Sequence, residues 1–253
     1  MAYSVIDIGS AATDRNTSAT GVNYTRIDAN NPANATGVLT SFEMWAYSQM
    51  TGVKIGTFSG SHPTFNDRDY ETIGTVAAYS KQTFTGKNCD VSTGDFIGYY
   101  HGGSGGELEA TYPGGAANAY YVTGDKFGLG AVSYSVVYNY SFSAYATGVT
   151  IPDAPTSVSA TDNLFDKITI TWTAGTGETD GHRVYRDGVD VSGVVAHGTA
   201  TFDDTTAVAG TTYAYTVKAI NAAGLSAAST ADNGTRVSSG SSIPVLLCSL
   251  GEY

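Results

Sequence analysis

Apolar and polar residues alternate with a period of two over much of this chain, in short runs that end at clusters of Gly, Asn, Asp and Ser. Such alternation is typical of β-strands with one buried face. Within residues 1–150 the pattern predicts these strands: Ser4–Ile8, Gly37–Ala46, Val53–Ser59, Asp69–Val76, Ser80–Thr85, Phe96–His101, Glu107–Thr111, Ala119–Val122 and Val132–Ala146. Short strands separated by turn residues at this spacing favour a jelly-roll-like β-sandwich over residues 1–150.

The alternation continues in the second half of the chain. Ile168, Ile170 and Trp172 share one face of a predicted strand. In a later strand, Tyr213, Tyr215, Val217 and Ala219 share one face, and Ala214, Thr216, Lys218 and Ile220 share the other. Asp187-Gly188 separates two apolar runs and predicts a two-residue hairpin turn, because both residues accept positive φ.

Composition agrees with an all-β protein. Gly accounts for 31 of 253 residues, Tyr for 18, and charged residues for only 14%. No segment has the run of Ala, Leu, Glu and Lys at 3.6-residue spacing that a helix needs. The length predicts two domains, each large enough to bury its own core.

The order of motifs in residues 152–237 resembles that of a fibronectin type III module. Trp172 takes the position of the family's core tryptophan, and Tyr185 that of its third-strand aromatic residue. Tyr213 is placed like the family's tyrosine corner, in which a phenol hydroxyl bonds to backbone at the edge of the sandwich. Asn221–Gly224 is similar to the turn before the last strand. The resemblance implies an immunoglobulin-like β-sandwich used for display and spacing.

The first half carries a more general resemblance. Val91–Tyr100 follows the order turn, Gly-Asp, apolar strand that is found in jelly-roll sandwiches of carbohydrate-binding families. In their general sequence pattern, residues 1–150 resemble uncharacterised tailed-phage and environmental virus proteins in which such a domain precedes a fibronectin type III module. This resemblance implies a structural component of a virion.

The net negative charge of the chain argues against a nucleic-acid partner. The net charge is −11. Residues 1–150 contain 7 basic and 12 acidic side chains, a net charge of −5, and residues 151–253 contain 5 and 11, a net charge of −6. Neither half has a basic patch, so phosphate backbones would be repelled and no nucleic-acid partner is expected.

Three features bear on location. The first residues, MAYSVIDIGSAATDR, lack the charge and apolar core of a secretory signal, and no run of about 18 apolar residues predicts a membrane span. Cys89 and Cys248 follow neither metal nor disulfide spacing, and Cys89 is expected to be a buried thiol. A virion component, which folds in the host cytoplasm and acts later, fits these features. An extracellular location is the alternative.

Residues 238–253 form a Ser/Gly linker and an apolar C-terminal tail. The apolar residues of this tail are Ile243, Val245, Leu246, Leu247 and Leu250. A Ser/Gly linker behaves as flexible coil, and soluble proteins seldom leave such a segment exposed. The tail is therefore predicted to dock on a neighbouring subunit. Packing on its own module is the alternative.

Candidate catalytic groups are few. The four histidines, His62, His101, His182 and His197, share no metal-ligand spacing, and the chain has no Gly-X-Ser-X-Gly motif. Glu107 and Glu109 share one face of a predicted strand, about 7 Å apart, and inverting glycosidases use such a separation. Acids on one face of a solvated sheet are common, however, so no catalytic residue and no cofactor is predicted.

A metal site is also not predicted. Asp67, Asp69 and Glu71 alternate along the chain and could offer oxygen ligands to Ca²⁺. Arg68 lies among them as a counter-charge, so a solvated loop is the favoured interpretation.

Tyrosines cluster beside two glycine-rich loops. The residues concerned are Tyr99, Tyr100 and His101 before the first loop, and Tyr112, Tyr120 and Tyr121 around the second. Flat amphipathic rings of this kind favour contacts with sugars or with partner side chains. One residue of each adjacent pair must face inward. Core or subunit packing is the favoured role, and glycan contact is the alternative.

The sequence thus predicts a non-enzymatic, two-domain virion protein, either a capsid decoration or a tail or fibre component of a bacteriophage. It is expected to act through contacts with other virion proteins and with itself, as a homo-oligomer such as a trimer. The alternative is a carbohydrate-binding or adhesin protein whose first domain binds surface glycans. A glycan-cleaving enzyme is the least favoured function.

Overall fold

The computed structural model describes residues 5–103, 105–115, 117–177 and 180–238. All regular structure in these residues is β-strand, as the alternation predicts. The chain divides into two compact units between Ile151 and Pro152. The predicted docking tail, from Ile243 to Leu250, lies outside the described residues.

In the described residues the first unit contains 14 strands. They are β1 (Val5–Gly9), β2 (Thr17–Ala19), β3 (Tyr24–Asp28), β4 (Gly37–Ser48), β5 (Met50–Ser61), β6 (Thr64–Val76), β7 (Lys81–Val91), β8 (Phe96–His101), β9 (Glu107–Thr111), β10 (Ala119–Thr123), β11 (Ala131–Ser133), β12 (Ser135–Val137), β13 (Ser141–Phe142) and β14 (Ala144–Thr150).

These strands form two seven-stranded sheets. The first runs β1-β14-β4-β9-β13, with β7 paired to β4 and β2 paired to β9. The second runs β11-β6-β5-β8-β3-β10-β12. The eight main strands are β1, β3 to β8 and β14. Numbered in chain order, they pair as 1-8-3-6 and 2-7-4-5, which is the strand order of a jelly roll built from two Greek keys. The predicted jelly-roll-like sandwich is confirmed.

The main hydrophobic core lies between the two sheets. On β4, a β-bulge between Leu39 and Ser41 shifts the alternation by one residue. Leu39, Phe42 and Met44 are therefore all fully buried in this core, although Leu39 and Phe42 are three residues apart and would face opposite sides of a regular strand. From the second sheet, Ile55 and Tyr99 pack into the same cluster.

The second sheet is also covered on its other face. Phe127 and Tyr134, from the segment between β10 and β12, pack there with Ile27, Phe58 and Phe65 in a separate buried cluster. The ring centroids of Phe58 and Phe127 are 5.1 Å apart, and those of Phe65 and Tyr134 are 5.5 Å apart. Strands β3 and β8 of this sheet are thus buried on both faces, which weakens their alternation in the sequence.

The predicted strand bounds hold best beside clear turn signals. Phe96–His101 and Glu107–Thr111 are observed with the predicted ends, as β8 and β9. The single predicted strand Val132–Ala146 is wrong, because this stretch is divided among β11 to β14, which belong to both sheets. The sequence pattern missed β2 and β3 altogether.

A buried carboxylate holds β3 to the opposite sheet. One oxygen of Asp28 accepts a hydrogen bond from the backbone N–H of Phe142, 3.1 Å away, and the other accepts the N–H of Asn30 at 2.9 Å. The Asn30 side chain donates to the carbonyl of Tyr140 at 2.8 Å and accepts from the N–H of Ala117 at 2.6 Å. This network anchors the long β9–β14 region on the body of the sandwich.

In the described residues the second unit contains nine strands. They are β15 (Thr156–Ala160), β16 (Ile168–Thr173), β17 (Gly181–Arg186), β18 (Val189–Asp190), β19 (Val195–Ala196), β20 (Thr201–Asp204), β21 (Thr212–Asn221), β22 (Gly224–Leu225) and β23 (Asp232–Thr235). One sheet runs β15-β16-β20. The other runs β18-β17-β21-β22, with β19 on β17 and β23 on β21.

The motifs that carried the family resemblance take the expected positions in this unit. Trp172 is buried in the core between the sheets, together with Tyr215 and Val217. The hydroxyl of Tyr213 accepts a hydrogen bond from the N–H of Val208, 3.4 Å away, as in a tyrosine corner. In the predicted hairpin turn, Asp187 and Gly188 have φ of 49° and 82°.

One buried carboxylate joins both sheets of the second unit. Asp204, at the end of β20, is only 2% exposed. Its Oδ2 accepts hydrogen bonds from the Tyr215 hydroxyl and from Arg186 Nη1, both at 2.8 Å. Its Oδ1 accepts from the backbone N–H and the hydroxyl of Thr206, at 2.8 and 2.7 Å. Burial raises the pKa of Asp204, but these hydrogen bonds and the charge of Arg186 outweigh burial and hold the pKa below its ordinary value.

We expect Asp204→Asn to destabilise the second unit by about 2–4 kcal/mol, because it leaves the Arg186 charge without its partner in a largely buried position. The neighbouring change Asp203→Asn is the matched control. Asp203 is exposed and pairs with Lys167 at the surface, so its loss should change stability little. Urea unfolding of the full chain, followed by tryptophan fluorescence, measures both. Equal effects of the two changes would contradict the role given to Asp204.

The same carboxylate predicts a pH dependence. Because the pKa of Asp204 is lowered in the folded state, its stabilisation is complete above the unfolded value of about 3.9 and is lost as pH falls through the folded value. The difference in unfolding free energy between the wild type and Asp204→Asn should therefore shrink below about pH 4. A difference that stays constant from pH 7 to pH 3 would contradict this.

Candidate functional site

An open cavity of about 430 Å³ lies at one end of the jelly-roll sandwich, where β3, β10 and β12 of the second sheet meet β2 and β13 of the first. This volume is within the range of small-molecule sites. The large residues in its lining are Tyr24, Arg26, Tyr120, Tyr121, Tyr140 and Phe142. Small residues of the segment 19–21, together with Ala119 and Val137, complete the lining.

Strand register explains why these residues meet. Arg26 on β3 lies opposite Tyr99 of β8 on one side and opposite Tyr121 of β10 on the other. Directly opposed residues share one face of a sheet, and Tyr24 shares that face because it lies two residues from Arg26. The rings of Tyr24 and Tyr121 pack edge to face with centroids 5.9 Å apart.

The guanidinium of Arg26 is held tightly but is only partly paired. Arg26 is 6% exposed. Its Nη2 donates to the carbonyls of Thr20 and Gly21, at 2.5 and 3.0 Å. Its Cζ lies 5.0 Å from the ring centroid of Tyr24 and 5.9 Å from that of Tyr99. Among the described residues, buried Nη1 has no hydrogen-bond acceptor and Arg26 forms no ion pair.

The positive charge of Arg26 affects the pKa values of three neighbouring groups. Burial raises the pKa of Tyr99 to about 12, while the nearby guanidinium acts in the opposite direction; the two groups do not, however, meet hydrogen-bond geometry. Burial also raises the pKa of Tyr140, again opposed by Arg26. For His101, burial and Arg26 act together and lower the pKa to about 4. The positive charge of Arg26 therefore acts to lower the pKa of all three groups.

The tyrosines singled out from the sequence have different positions in the structure. Tyr121 lines the cavity, and so does Tyr120, although the Tyr120 ring packs at 4.7 Å from Phe65. Tyr112 is 52% exposed and its ring lies 5.5 Å from that of Tyr140, so it borders the site.

The other three candidates do not line the cavity. Tyr99 and His101 are buried between the sheets, so the suggestion that their side chains contact a partner or glycan is wrong. Tyr100 faces the opposite side of β8, where its hydroxyl donates to Asn23 Oδ1 at 3.0 Å. As expected for adjacent residues on a strand, one member of the Tyr99-Tyr100 pair faces inward.

Sequence reasoning missed Tyr24, Arg26 and Tyr140. The first two lie on β3, whose sequence Tyr-Thr-Arg-Ile-Asp places charged residues on the face that points into the sandwich. Thr25 and Ile27 on the other face are buried as well, so β3 lacks the usual pattern of apolar inside and polar outside. The available signal was the turn residues on both sides of this short alternating stretch, Gly21–Asn23 and Asn30–Pro32.

A second open cavity, of about 420 Å³, contains the two acids that suggested a glycosidase, Glu107 and Glu109. Both have structural partners. Glu107 accepts a hydrogen bond from the Ser18 hydroxyl, and Glu109 accepts the N–H of Arg15 at 3.2 Å. Burial raises the pKa of Glu109. The Arg15 side chain donates to Ser143 Oγ at 2.6 Å, so this polar cluster fastens the N-terminal segment to the first sheet.

The acids considered as Ca²⁺ ligands lie on strand β6, so their placement in a solvated loop is wrong. Asp67 accepts the N–H groups of Gly128 and Gly130 at 2.6 and 2.8 Å, and Asp69 accepts that of Asp90 at 2.8 Å. Arg68 pairs with Asp95 at 2.5 Å rather than with its neighbours in sequence. In the described part of the chain no group of three potential ligands is placed to hold a metal.

Two further expectations can be compared with the structure. Cys89 is buried, as predicted, and burial raises the pKa of its thiol. Within the described residues no helix is long and apolar enough to cross a membrane.

Comparison with known proteins identifies the second unit. A family model described as fibronectin type III domain matches residues 153–232, so the C-terminal half contains a fibronectin type III module. Such domains are typically non-catalytic. No curated protein matches the chain.

Several solved structures are similar to parts of the chain. A Fn3-like protein from Clostridium thermocellum shares 22% identity over 34% of this chain and 95% of its own, with a TM-score of 0.27. A beta-1,2-glucanase from Parabacteroides distasonis shares 15% over 80% of this chain and 28% of its own, with a TM-score of 0.30. Domains of titin share 14% over 78% of this chain and 97% of their own, with a TM-score of 0.29. All three scores are below 0.5, and no functional conclusion follows from them.

The buried His101, at the end of β8, gives a prediction of pH dependence. Its pKa is lowered to about 4 in the folded state, against about 6.5 unfolded. The unfolded chain therefore binds more protons between these values, and this residue reduces stability as pH falls from about 6.5 to 4. NMR of the imidazole carbons should show a neutral ring at pH 5.5 in the folded protein and titration near 6.5 in urea. Titration near 6.5 in the folded state would contradict the assignment.

Proposed function

We propose that this chain is a non-catalytic binding protein whose jelly-roll domain binds a saccharide in the tyrosine-lined cavity. The observation that carries the proposal is the convergence of three tyrosines, Tyr24, Tyr121 and Tyr140, on one open cavity of ligand size. A tyrosine ring offers an apolar face to the C–H groups of a sugar and a hydroxyl to its polar groups.

The arrangement of the rings supports binding rather than packing alone. Tyr24 and Tyr121 hold each other edge to face, and Tyr140 is fixed by a hydrogen bond from its hydroxyl to the Ser18 carbonyl, 3.1 Å away. All three are only partly buried. Rings fixed in this way lose little conformational freedom when a ligand binds.

The fibronectin type III module takes the role of a spacer or display domain in this proposal. Its main buried polar cluster, around Asp204, is fully paired and joins the two sheets. Such a cluster stabilises the module and leaves its hydrogen-bonding groups unavailable to a ligand.

We expect Tyr121→Ala to weaken saccharide binding by about 3- to 10-fold, because it removes a ring that contributes on the order of 0.5–1.5 kcal/mol beyond its buried area. The control is Tyr79→Ala. Tyr79 is 71% exposed, packs on Tyr47 and lies outside the cavity. A glycan array followed by titration calorimetry measures both variants. Unchanged affinity in Tyr121→Ala, or equal loss in both, would contradict the proposal.

A second candidate is the virion protein that the sequence favoured, acting through subunit contacts. The observation that supports it is a set of large exposed side chains on the jelly roll, among them Tyr79, Leu129 and Tyr138, exposed by 71%, 61% and 65%. Exposed apolar surface of this kind favours protein contacts when it is contiguous. The sequence favoured the virion protein, but the cavity makes saccharide binding the preferred candidate, because the cavity is a defined site of ligand size. The exposed residues do not form such a site.

Assembly tests this second candidate. If the chain is a virion component whose tail docks on a neighbour, the full chain should sediment as a homo-oligomer, and deletion of residues 243–253 should release monomers. A chain that sediments as a monomer with and without the tail would contradict assembly through self-contact. An oligomer that the deletion leaves intact would contradict the role given to the tail.

A further inference from the structure

The cavity is charged opposite to the protein around it. The chain has a net charge of −11, yet Arg26 is the only charged residue among the described residues that line the cavity. Buried guanidinium groups are normally paired with a carboxylate or a phosphate, because burial of a lone charge is costly. The nearby carboxylate of Asp28 does not pair with Arg26, because its two oxygens accept hydrogen bonds from the backbone N–H groups of Phe142 and Asn30.

Arg26 also has a donor without an acceptor. Two carbonyl groups satisfy Nη2, whereas Nη1 is buried and has no acceptor among the described residues. An unpaired buried donor is destabilising, and each such group in a native protein calls for an explanation, of which a bound anion is one. A carboxylate fits this need because it accepts hydrogen bonds from a guanidinium in a planar, paired geometry.

Size and lining narrow the class of ligand further. The cavity, at about 430 Å³, is larger than a simple anion requires. Tyr24 and Tyr121 extend from Arg26 along β3 and across to β10, so that a group bound to Arg26 would bring the rest of its molecule beside these rings. Neutral apolar ligands would leave the guanidinium unpaired, and small anions would leave the rings unused.

We propose that the ligand is an acidic sugar, with its carboxylate paired to Arg26 and its ring beside Tyr24 and Tyr121. The inference rests on the proposed function, since it names the class of saccharide that the same cavity binds. The charge of Arg26 favours ligands that carry a carboxylate, and the two tyrosine rings favour ligands that contain a pyranose ring. Neutral sugars of the same ring size bind more weakly because they bring no negative charge to the guanidinium.

The test uses the unmodified full-length chain and matched ligands. Glucuronate is compared with glucose and with glucuronate methyl ester, and galacturonate with galactose, by titration calorimetry. Acetate and sulfate are included as anions without a sugar ring. We expect each acid to bind about 10- to 100-fold more tightly than its neutral counterpart, the range for a charge-assisted hydrogen bond.

The outcomes separate this inference from the proposed function. Equal affinity for acids and neutral sugars would overturn the inference and leave the saccharide proposal standing. Acetate or sulfate binding as tightly as glucuronate would show a simple anion site and overturn the inference. Absence of binding by every sugar in the set would overturn both proposals.

A variant tests the role of Arg26 itself. In Arg26→Gln the preference for the acid over the neutral sugar should fall to about 2-fold or less, because the charge that pairs with the carboxylate is gone. Lys54→Gln is the control, since Lys54 pairs with Asp125 outside the cavity and its loss should leave the preference unchanged. If Arg26→Gln does not fold, the comparison of matched ligands on the wild type still decides the question. A folded Arg26→Gln that keeps the full preference would overturn the inference.

Discussion

The hydrogen bonds of one buried carboxylate, Asp28, hold together the end of the jelly roll that contains the cavity. Asp28 lies on β3 in the second sheet and accepts the backbone N–H of Phe142 in the first sheet. Through Asn30 it also fixes the backbone at Ala117 and Tyr140. The cavity exists because the region between β8 and β14 adds strands to both sheets beside this network. Burial raises the pKa of Asp28, and its hydrogen bonds with Asn30, Ser10 and Phe142 partly compensate.

Much of the fold could be predicted from residue patterns, and the exceptions have a common cause. The second unit was recognisable because Trp172, Tyr213 and the Asp187-Gly188 turn report local geometry that few other folds require. In the first unit, β8 and β9 follow clear turn signals and were predicted with their observed bounds. Strand β3 was missed because its inward face carries Arg26 and Asp28, so its pattern resembles that of a polar connection.

The candidate site was predictable only in part, for the same reason. Tyr120 and Tyr121 were visible as an adjacent aromatic pair beside a glycine-rich loop, and both line the cavity. Arg26 and Tyr24 could not be joined to them from the sequence, because they meet through pairing between β3 and β10, strands that lie far apart in the chain. Long-range register is not encoded in local alternation. Prediction from the sequence therefore found Tyr120 and Tyr121 and missed the charge of Arg26.

The packing of Arg26 between the rings of Tyr24 and Tyr99 has a consequence for how long the acidic sugar proposed above would remain bound. An arginine side chain that is ordered only on binding costs on the order of 0.5–1.5 kcal/mol, and here two rings and two carbonyls already hold the side chain. That ordering cost is incurred when the sandwich folds. Differences between related ligands should then arise mainly in their dissociation rates, because the pairing with Arg26 must break before a ligand leaves.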